Sequence, residues 1–124
     1  MAFLQTSSNG EILTIFFMES KILDAAMIQS MQEELLAILG KTEETSVLLD
    51  FRPVKFLSSA ALGMLVRANK KCKEFKVTMK LCNLTPSIRE VFKITGLEKI
   101  LEIYPDTQSA EKSFAKKGGF FRRV

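Results

Sequence analysis

Two adjacent hydroxyls, Ser58 and Ser59, close the apolar dipeptide Phe56-Leu57 and open the helix-forming run Ala60-Ala61-Leu62-Gly63. A serine at a helix start can accept a hydrogen bond from a first-turn N–H, and the same end of a helix accommodates a phosphate. The chemistry open to this pair is therefore capping, phosphoryl acceptance, or one of each. Other chemistry is scarce. The chain has no histidine, which excludes a Ser-His-Asp triad, a Cys-His pair and histidine-based metal sites, and two cysteines cannot make a four-thiolate zinc site. No clustered nucleophile, base and orienting group points to an enzyme, and no residue set calls for a cofactor or a metal.

The elements that must position the serines follow from periodicity. Ala2–Thr6 and Glu11–Met18 are rich in strand formers and flank Ser7-Ser8-Asn9-Gly10, the composition of a hairpin turn. Asp24 then precedes Ile28, Met31, Leu35 and Ile38 or Leu39 at helical spacing, with Gly40 expected to end that helix. Ser46–Phe51 holds Val47-Leu48-Leu49, the continuous apolar pattern of a buried strand. A second helix is expected from Ser58 to about Phe75, with Leu62, Leu65, Val66 and Cys72 inward and Arg67, Lys70, Lys71 and Lys73 outward. In Lys76–Cys82, Val77, Met79 and Leu81 alternate with Lys76, Thr78 and Lys80, which predicts a strand with one wet face.

Thr85-Pro86 marks a third helix start, striped by Ile88, Val91 and Phe92 and ended by Gly96. Ile100–Tyr104 can form a last short strand. Asp106 or Thr107 can cap a final helix to about Lys117, held by Ala110 and Phe114. The single domain is thus expected over residues 1–117, with 118–124 a short basic and aromatic tail. Strands and helices alternate after an opening hairpin, so the fold class is α/β, a mixed sheet of four to five strands with about four helices packed on it.

At 124 residues and 47% hydrophobic, the chain suits one domain with a real core. No apolar run reaches the roughly 20 residues that span a bilayer, and the N-terminus lacks the order of a secretory signal. The expectation is a soluble, cytoplasmic protein without an integral membrane segment, its two cysteines buried thiols rather than a disulfide. Residues 1–50 carry 2 basic and 8 acidic side chains, residues 51–124 carry 16 and 6. A basic half can meet nucleic acid or an acidic protein, but the absence of tryptophan and of an aromatic RNA-binding pattern argues against nucleic acid.

Read together, Val47-Leu48-Leu49-Asp50, the stretch Phe56 to Gly63, and Leu81-Cys82-Asn83-Leu84-Thr85-Pro86-Ser87-Ile88-Arg89-Glu90-Val91-Phe92 with Thr95-Gly96-Leu97 resemble the STAS domain. This is the fold of bacterial anti-sigma-factor antagonists, also found in sulfate transporters, and the resemblance covers roughly residues 10–115. It implies a regulatory module that binds a serine-kinase anti-sigma factor and is released from it by phosphorylation at the second helix's start. Family members commonly read Asp-Ser-Ser-Gly-Leu or Asp-Ser-Thr-Gly-Leu there, with the acceptor just before the glycine. Aligned on Phe56-Leu57 and Leu62-Gly63, this chain places Ser58 at the aspartate, Ser59 at the first hydroxyl, Ala60 at the acceptor and Ala61 at the glycine. Ala60 has no hydroxyl to phosphorylate. Ser59 is the neighbouring substitute acceptor, and Ser58 the more natural N-cap and second candidate.

Four further positions carry partner-binding expectations, each beside a plain structural role. Asp24 falls where the resemblance implies an aspartate near the acceptor loop, and it also suits a helix cap. Asn83 begins a turn that the resemblance puts beside the same loop, and its amide could equally close that turn. Ser58 joins Ser59 in any docking surface. Met64 cannot share one direction with both Leu65 and Val66, so it either faces a partner or reaches under a neighbouring loop. The tail, with Lys116, Lys117, Phe120, Phe121, Arg122 and Arg123, reads as a membrane or partner contact or as a free end. The alternative to a phosphorylation-switched antagonist is a constitutive assembly subunit, such as one bracing an ABC-transporter ATPase, for which Ala60 is no obstacle. The sequence leaves the oligomeric state open.

Overall fold

An Asn9-Gly10 turn folds the first two strands, β1 (Leu4–Ser8) and β2 (Ile12–Phe17), into an antiparallel pair with Leu4 opposite Phe17. The Asn9 side-chain oxygen accepts from the N–H groups of Glu11 and Ile12 at 2.9 and 2.8 Å, and Gly10 takes φ +91°. That closure is why Ser7 and Ser8 belong to the strand and not to the turn. The structure, a computed structural model, describes the backbone of residues 2–122 and the side chains of residues 2–115.

After the hairpin come β3 (Lys21–Ile22), α1 (Ala25–Lys41), β4 (Ser46–Asp50), β5 (Phe56–Leu57), α2 (Ser59–Glu74) and β6 (Thr78–Cys82). Then follow α3 (Pro86–Ile94), a 3₁₀ turn at Leu97–Lys99, β7 (Glu102–Tyr104) and α4 (Thr107–Arg122). Five strands form one mixed sheet in the order β1-β2-β4-β6-β7, and β2, β4, β6 and β7 are parallel. The expected hairpin is present, the mixed sheet of four to five expected strands has five, and the expected helices, about four, are four among the described residues. The expectation omits a second, two-stranded parallel sheet of β3 and β5.

Each of α1, α2 and α3 returns the chain from the end of one parallel strand to the start of the next, so these helices run against the strands. All three begin at the sheet's upper edge, where the parallel strands end, and finish at its lower edge. Strand alternation gives the sheet two unlike faces. Leu13, Ile15, Val47, Leu49, Met79 and Leu81 pack with the apolar stripes of α1 to α3 in the main core. The other face carries Ile12, Leu48 and Cys82 and is covered by Ala110 and Phe114 of α4. Fully burying one such Leu, Ile or Phe contributes roughly 1.5–3 kcal/mol, so the main core dominates stability.

Three local expectations need correction. Helix α1 ends near Gly40 as expected, at Lys41, but Thr42 rather than the glycine closes it through an N–H to the Ile38 carbonyl; the exposed Phe75 ring comes within 3.9 Å of where a Gly40 Cβ would be. Lys80 is 1% exposed rather than wet, because α4 lies over it. Its Nζ donates to Ser113 Oγ at 2.7 Å, sits 3.5 Å from Glu102 and faces the Phe114 and Tyr104 rings at 4.6 and 5.2 Å. The backbone of α4 continues through Gly118-Gly119 to Arg122 instead of stopping near Lys117, since glycine weakens a helix by only about 1 kcal/mol relative to alanine. The side chains of Lys116, Lys117, Phe120, Phe121, Arg122 and Arg123 lie outside the described residues.

Candidate functional site

The β3–β5 ribbon is what gathers the hydroxyls. Lys55 and Phe56 donate their N–H groups to the Ser20 carbonyl at 2.8 and 3.2 Å, Ile22 pairs with Leu57, and the Ser58 N–H reaches the Ile22 carbonyl at 3.1 Å. Two-residue strands hold little by themselves. Here the following loop is anchored by Phe51 and Val54, both buried, with the Phe51 ring 4.7 Å from Phe17 and 6.4 Å from Phe92.

The ribbon delivers the chain into two helices at once. Asp24 caps α1 by accepting the Met27 N–H at 2.8 Å, and Ser58 caps α2 by accepting the Ala61 N–H at 3.2 Å. The parallel register that sets Ile22 beside Leu57 carries on to bring Asp24 and the two serines to neighbouring helix starts. Ser58 is half-buried and its hydroxyl is engaged as a cap. Ser59 and Ala60 are exposed, and among the described residues no hydrogen bond holds the Ser59 hydroxyl.

Around the serines lie apolar side chains that the sequence reading did not single out. Met18, Leu23 and Phe56 are each about half exposed at this upper edge, and Lys21 stands 5.9 Å from the centre of the Phe56 ring. Leu23 and Phe56 are brought to the serines by the ribbon pairing, so periodicity offers no signal for them. An exposed hydroxyl amid apolar side chains, at a capped helix start, can be docked on and can be modified.

Met64 takes no part. It is 1% exposed, on the same inward face as Ala61, Leu65, Ala68 and Cys72, whereas Leu62 and Val66 are the half-buried members of the run. A helix in which alanines face the sheet leaves room for a long, flexible methionine in the core.

Asn83 is engaged in a different set of contacts. At φ +62°, a left-handed conformation that asparagine tolerates, its amide donates to Thr107 at 3.0 Å and to Asp50 at 3.2 Å. It crosses to other elements rather than closing its own turn. Asp50, 1% exposed at the end of β4, also accepts the Arg52 N–H at 2.9 Å and pairs with the Arg52 guanidinium at 3.2 Å. The guanidinium reaches Thr107 at 3.4 Å. This knot ties the ends of β4 and β6 to the first residue of α4. A carboxylate closing the apolar run Val47-Leu48-Leu49 was its one sequence signal.

The two cysteines carry no reactive thiolate. Burial pushes Cys72 up to about 11, and burial with the nearby Asp50 charge pushes Cys82 up to about 11. No helix among the described residues is long and apolar enough to cross a membrane.

The profile of the STAS domain matches residues 4–110. A candidate anti-sigma factor antagonist of Bordetella bronchiseptica, BtrV, is 32% identical over 94 residues, covering 76% of this chain and 78% of its own. Among solved structures, an anti-sigma-factor antagonist (STAS) domain protein from Planctomyces limnophilus superposes with a TM-score of 0.77 at 24% identity, over 89% of this chain and 95% of that one. The anti-sigma factor antagonist SpoIIAA in its unphosphorylated form gives 0.73 at 17% identity, over 94% and 96%.

Proposed function

The chain belongs to the STAS domain family, among the anti-sigma-factor-antagonist-like members, and from that premise we propose a cytoplasmic, non-enzymatic regulator that docks a serine-kinase anti-sigma factor on its upper edge. The observation that carries the proposal is Ser59, exposed beside a serine already engaged as the cap and flanked by half-exposed Leu23 and Phe56. Apolar side chains of this kind supply the desolvated centre of a protein interface. Ser58 and Asp24 shape that surface by fixing the two helix starts.

Ser59 is the switch in this reading. The partner's ATP supplies the phosphoryl group, the Ser59 oxygen accepts it, and the chain provides no catalytic group. Phosphate adds about −1.5 to −2 charge, which a desolvated apolar contact cannot bury without a counter-charge. Release therefore needs no unfolding. Incubation of the chain with its cognate kinase and ATP is expected to shift the mass of the peptide bearing Ser59; no shift on Ser58 or Ser59 overturns the switch. Ser59→Asp is expected to weaken partner binding relative to Ser59→Ala, with phosphorylated protein as the stronger control.

A second reading rests on Ala60, which removes the hydroxyl from the position the family pattern modifies. A constitutive subunit of another assembly, such as one bracing an ABC-transporter ATPase, needs no switch. Pull-down of such an ATPase without any sigma-regulatory kinase selects it.

A further inference from the structure

The lower edge of the fold, where α1, α2 and α3 all end, carries a second set of exposed apolar side chains. Phe75 closes α2, Ile94 ends α3 and Ile100 follows the 3₁₀ turn; the first and last are about half exposed and Ile94 is 75% exposed. Exposed lysines intersperse them: Lys73, Lys76, Lys93 and Lys99. The acids among them are Glu74, bridged to Lys71 at 3.3 Å, Glu98, and Glu102, paired with the buried Lys80 at 3.5 Å; Glu11 precedes β2 at the same edge. Glu43 and Glu44 lie in the loop after α1, with Glu44 engaged by Ser8 and Thr42.

Lysines at helix C-termini have an ordinary reason, the negative end of the macrodipole. That reason does not extend to the three apolar side chains, nor to the conformation of Lys76. Lys76 takes φ +60° just past α2, with the Val77 N–H reaching the Cys72 carbonyl at 2.7 Å. This is the helix-ending position where glycine is relaxed and a side chain is strained. Stability alone would not put a lysine there.

We propose that this edge is a peripheral contact for an anionic lipid surface, with Phe75, Ile94 and Ile100 entering the headgroup layer and the lysines meeting the anionic headgroups. Apolar tips set among cations are the chemistry of an interfacial membrane contact. Here exposed lysines neighbour each tip, Lys73 and Lys76 about Phe75 and Lys93 and Lys99 about Ile94 and Ile100, whereas the core of a protein interface is depleted of lysine. Nucleic acid is disfavoured because two of the three tips are isoleucines, which offer no face for a base to stack on. The upper edge with Ser59 would then point away from the membrane, free for its own partner.

The test is sedimentation of the full chain with sucrose-loaded vesicles. Phosphatidylcholine vesicles containing phosphatidylserine are expected to carry the chain down in a salt-sensitive manner, and pure phosphatidylcholine vesicles are not. The triple change Lys76→Glu, Lys93→Glu and Lys99→Glu is expected to weaken partition about a hundredfold or more. Ile94→Ser with Ile100→Ser is expected to weaken it about tenfold, and Phe56→Ser at the opposite edge to leave it unchanged. All altered positions are exposed, and circular dichroism checks that each variant is folded. Absence of cosedimentation at low salt, equal binding to both vesicle types, or full binding by the charge-reversed chain overturns the proposal. So does tighter binding to polyglutamate or to a single-stranded oligonucleotide than to the mixed vesicles.

Discussion

Two of the helices that begin at the upper edge, α2 and α4, do so under opposite conditions. The start of α2 is capped by the neutral Ser58, and Ser59 beside it is exposed. The start of α4 is capped by Asp106, whose carboxylate accepts the Ser109 N–H at 2.7 Å, while Thr107 is drawn into the knot of Asp50, Arg52 and Asn83. One start keeps a hydroxyl in reserve; the other has its hydroxyl bonded to Arg52 and Asn83. A helix start can change its charge state without loss of fold only where the modifiable group is neither the cap nor held by other contacts. The pair Ser58 and Ser59 meets that condition, and Thr107 does not.

The contrast breaks most visibly at Asp50. Asp50→Ala leaves the Asn83 amide, the Arg52 N–H and the guanidinium without their shared acceptor, and urea denaturation is expected to show a loss of about 3 kcal/mol. A loss below about 1 kcal/mol would mean that the knot is no more committed than the serine loop. Asn83→Ala is expected to cost about 2 kcal/mol, because it combines lost hydrogen bonds with a strained left-handed residue. Asn83→Gly relieves the backbone and is expected to cost about 1 kcal/mol, so the difference between the two isolates the strain.

On the α2 side the effects shrink. Ser58→Ala is expected to lose about 1 kcal/mol, the usual worth of a cap. Ser59→Ala is expected to stay within about 0.5 kcal/mol in the same assay; a larger loss would give Ser59 a structural duty and dissolve the comparison.

The smallest effect separates the two starts by acid. Its bonds to Ser109 hold the Asp106 carboxyl below its ordinary value, so the unfolded chain binds the proton more readily than the folded one. The stability this contributes is present above the unfolded value and is lost as pH falls through the folded one. Asp106→Asn should keep the cap and flatten that part of the acid limb of a pH–stability curve. Replacing the neutral Ser58 should leave its slope unchanged.

Much of the fold was legible because long periodic segments leave few alternatives. The stripe of Ile28, Met31, Leu35 and Leu39 is the buried face of α1, and the run Val47-Leu48-Leu49 is a central strand. The capping roles of Asp24 and Ser58 were legible from residue type and place. The ribbon was not, since two-residue strands have no period, and with it went the exposed pair Leu23 and Phe56. Met64 failed because three consecutive apolar residues on a helix do not say which one faces out. Lys80 failed for a different reason: alternation assigns a residue to a face, but only tertiary packing decides whether that face is wet.

The covering of Lys80 by α4 gives the molecule a built-in gauge. Among the described residues every other lysine is exposed, so an amine-directed acylating reagent should label them all and pass Lys80 by for as long as α4 stays down. The reaction rate at that one nitrogen would count how often the last helix lifts from the sheet, without any probe being attached.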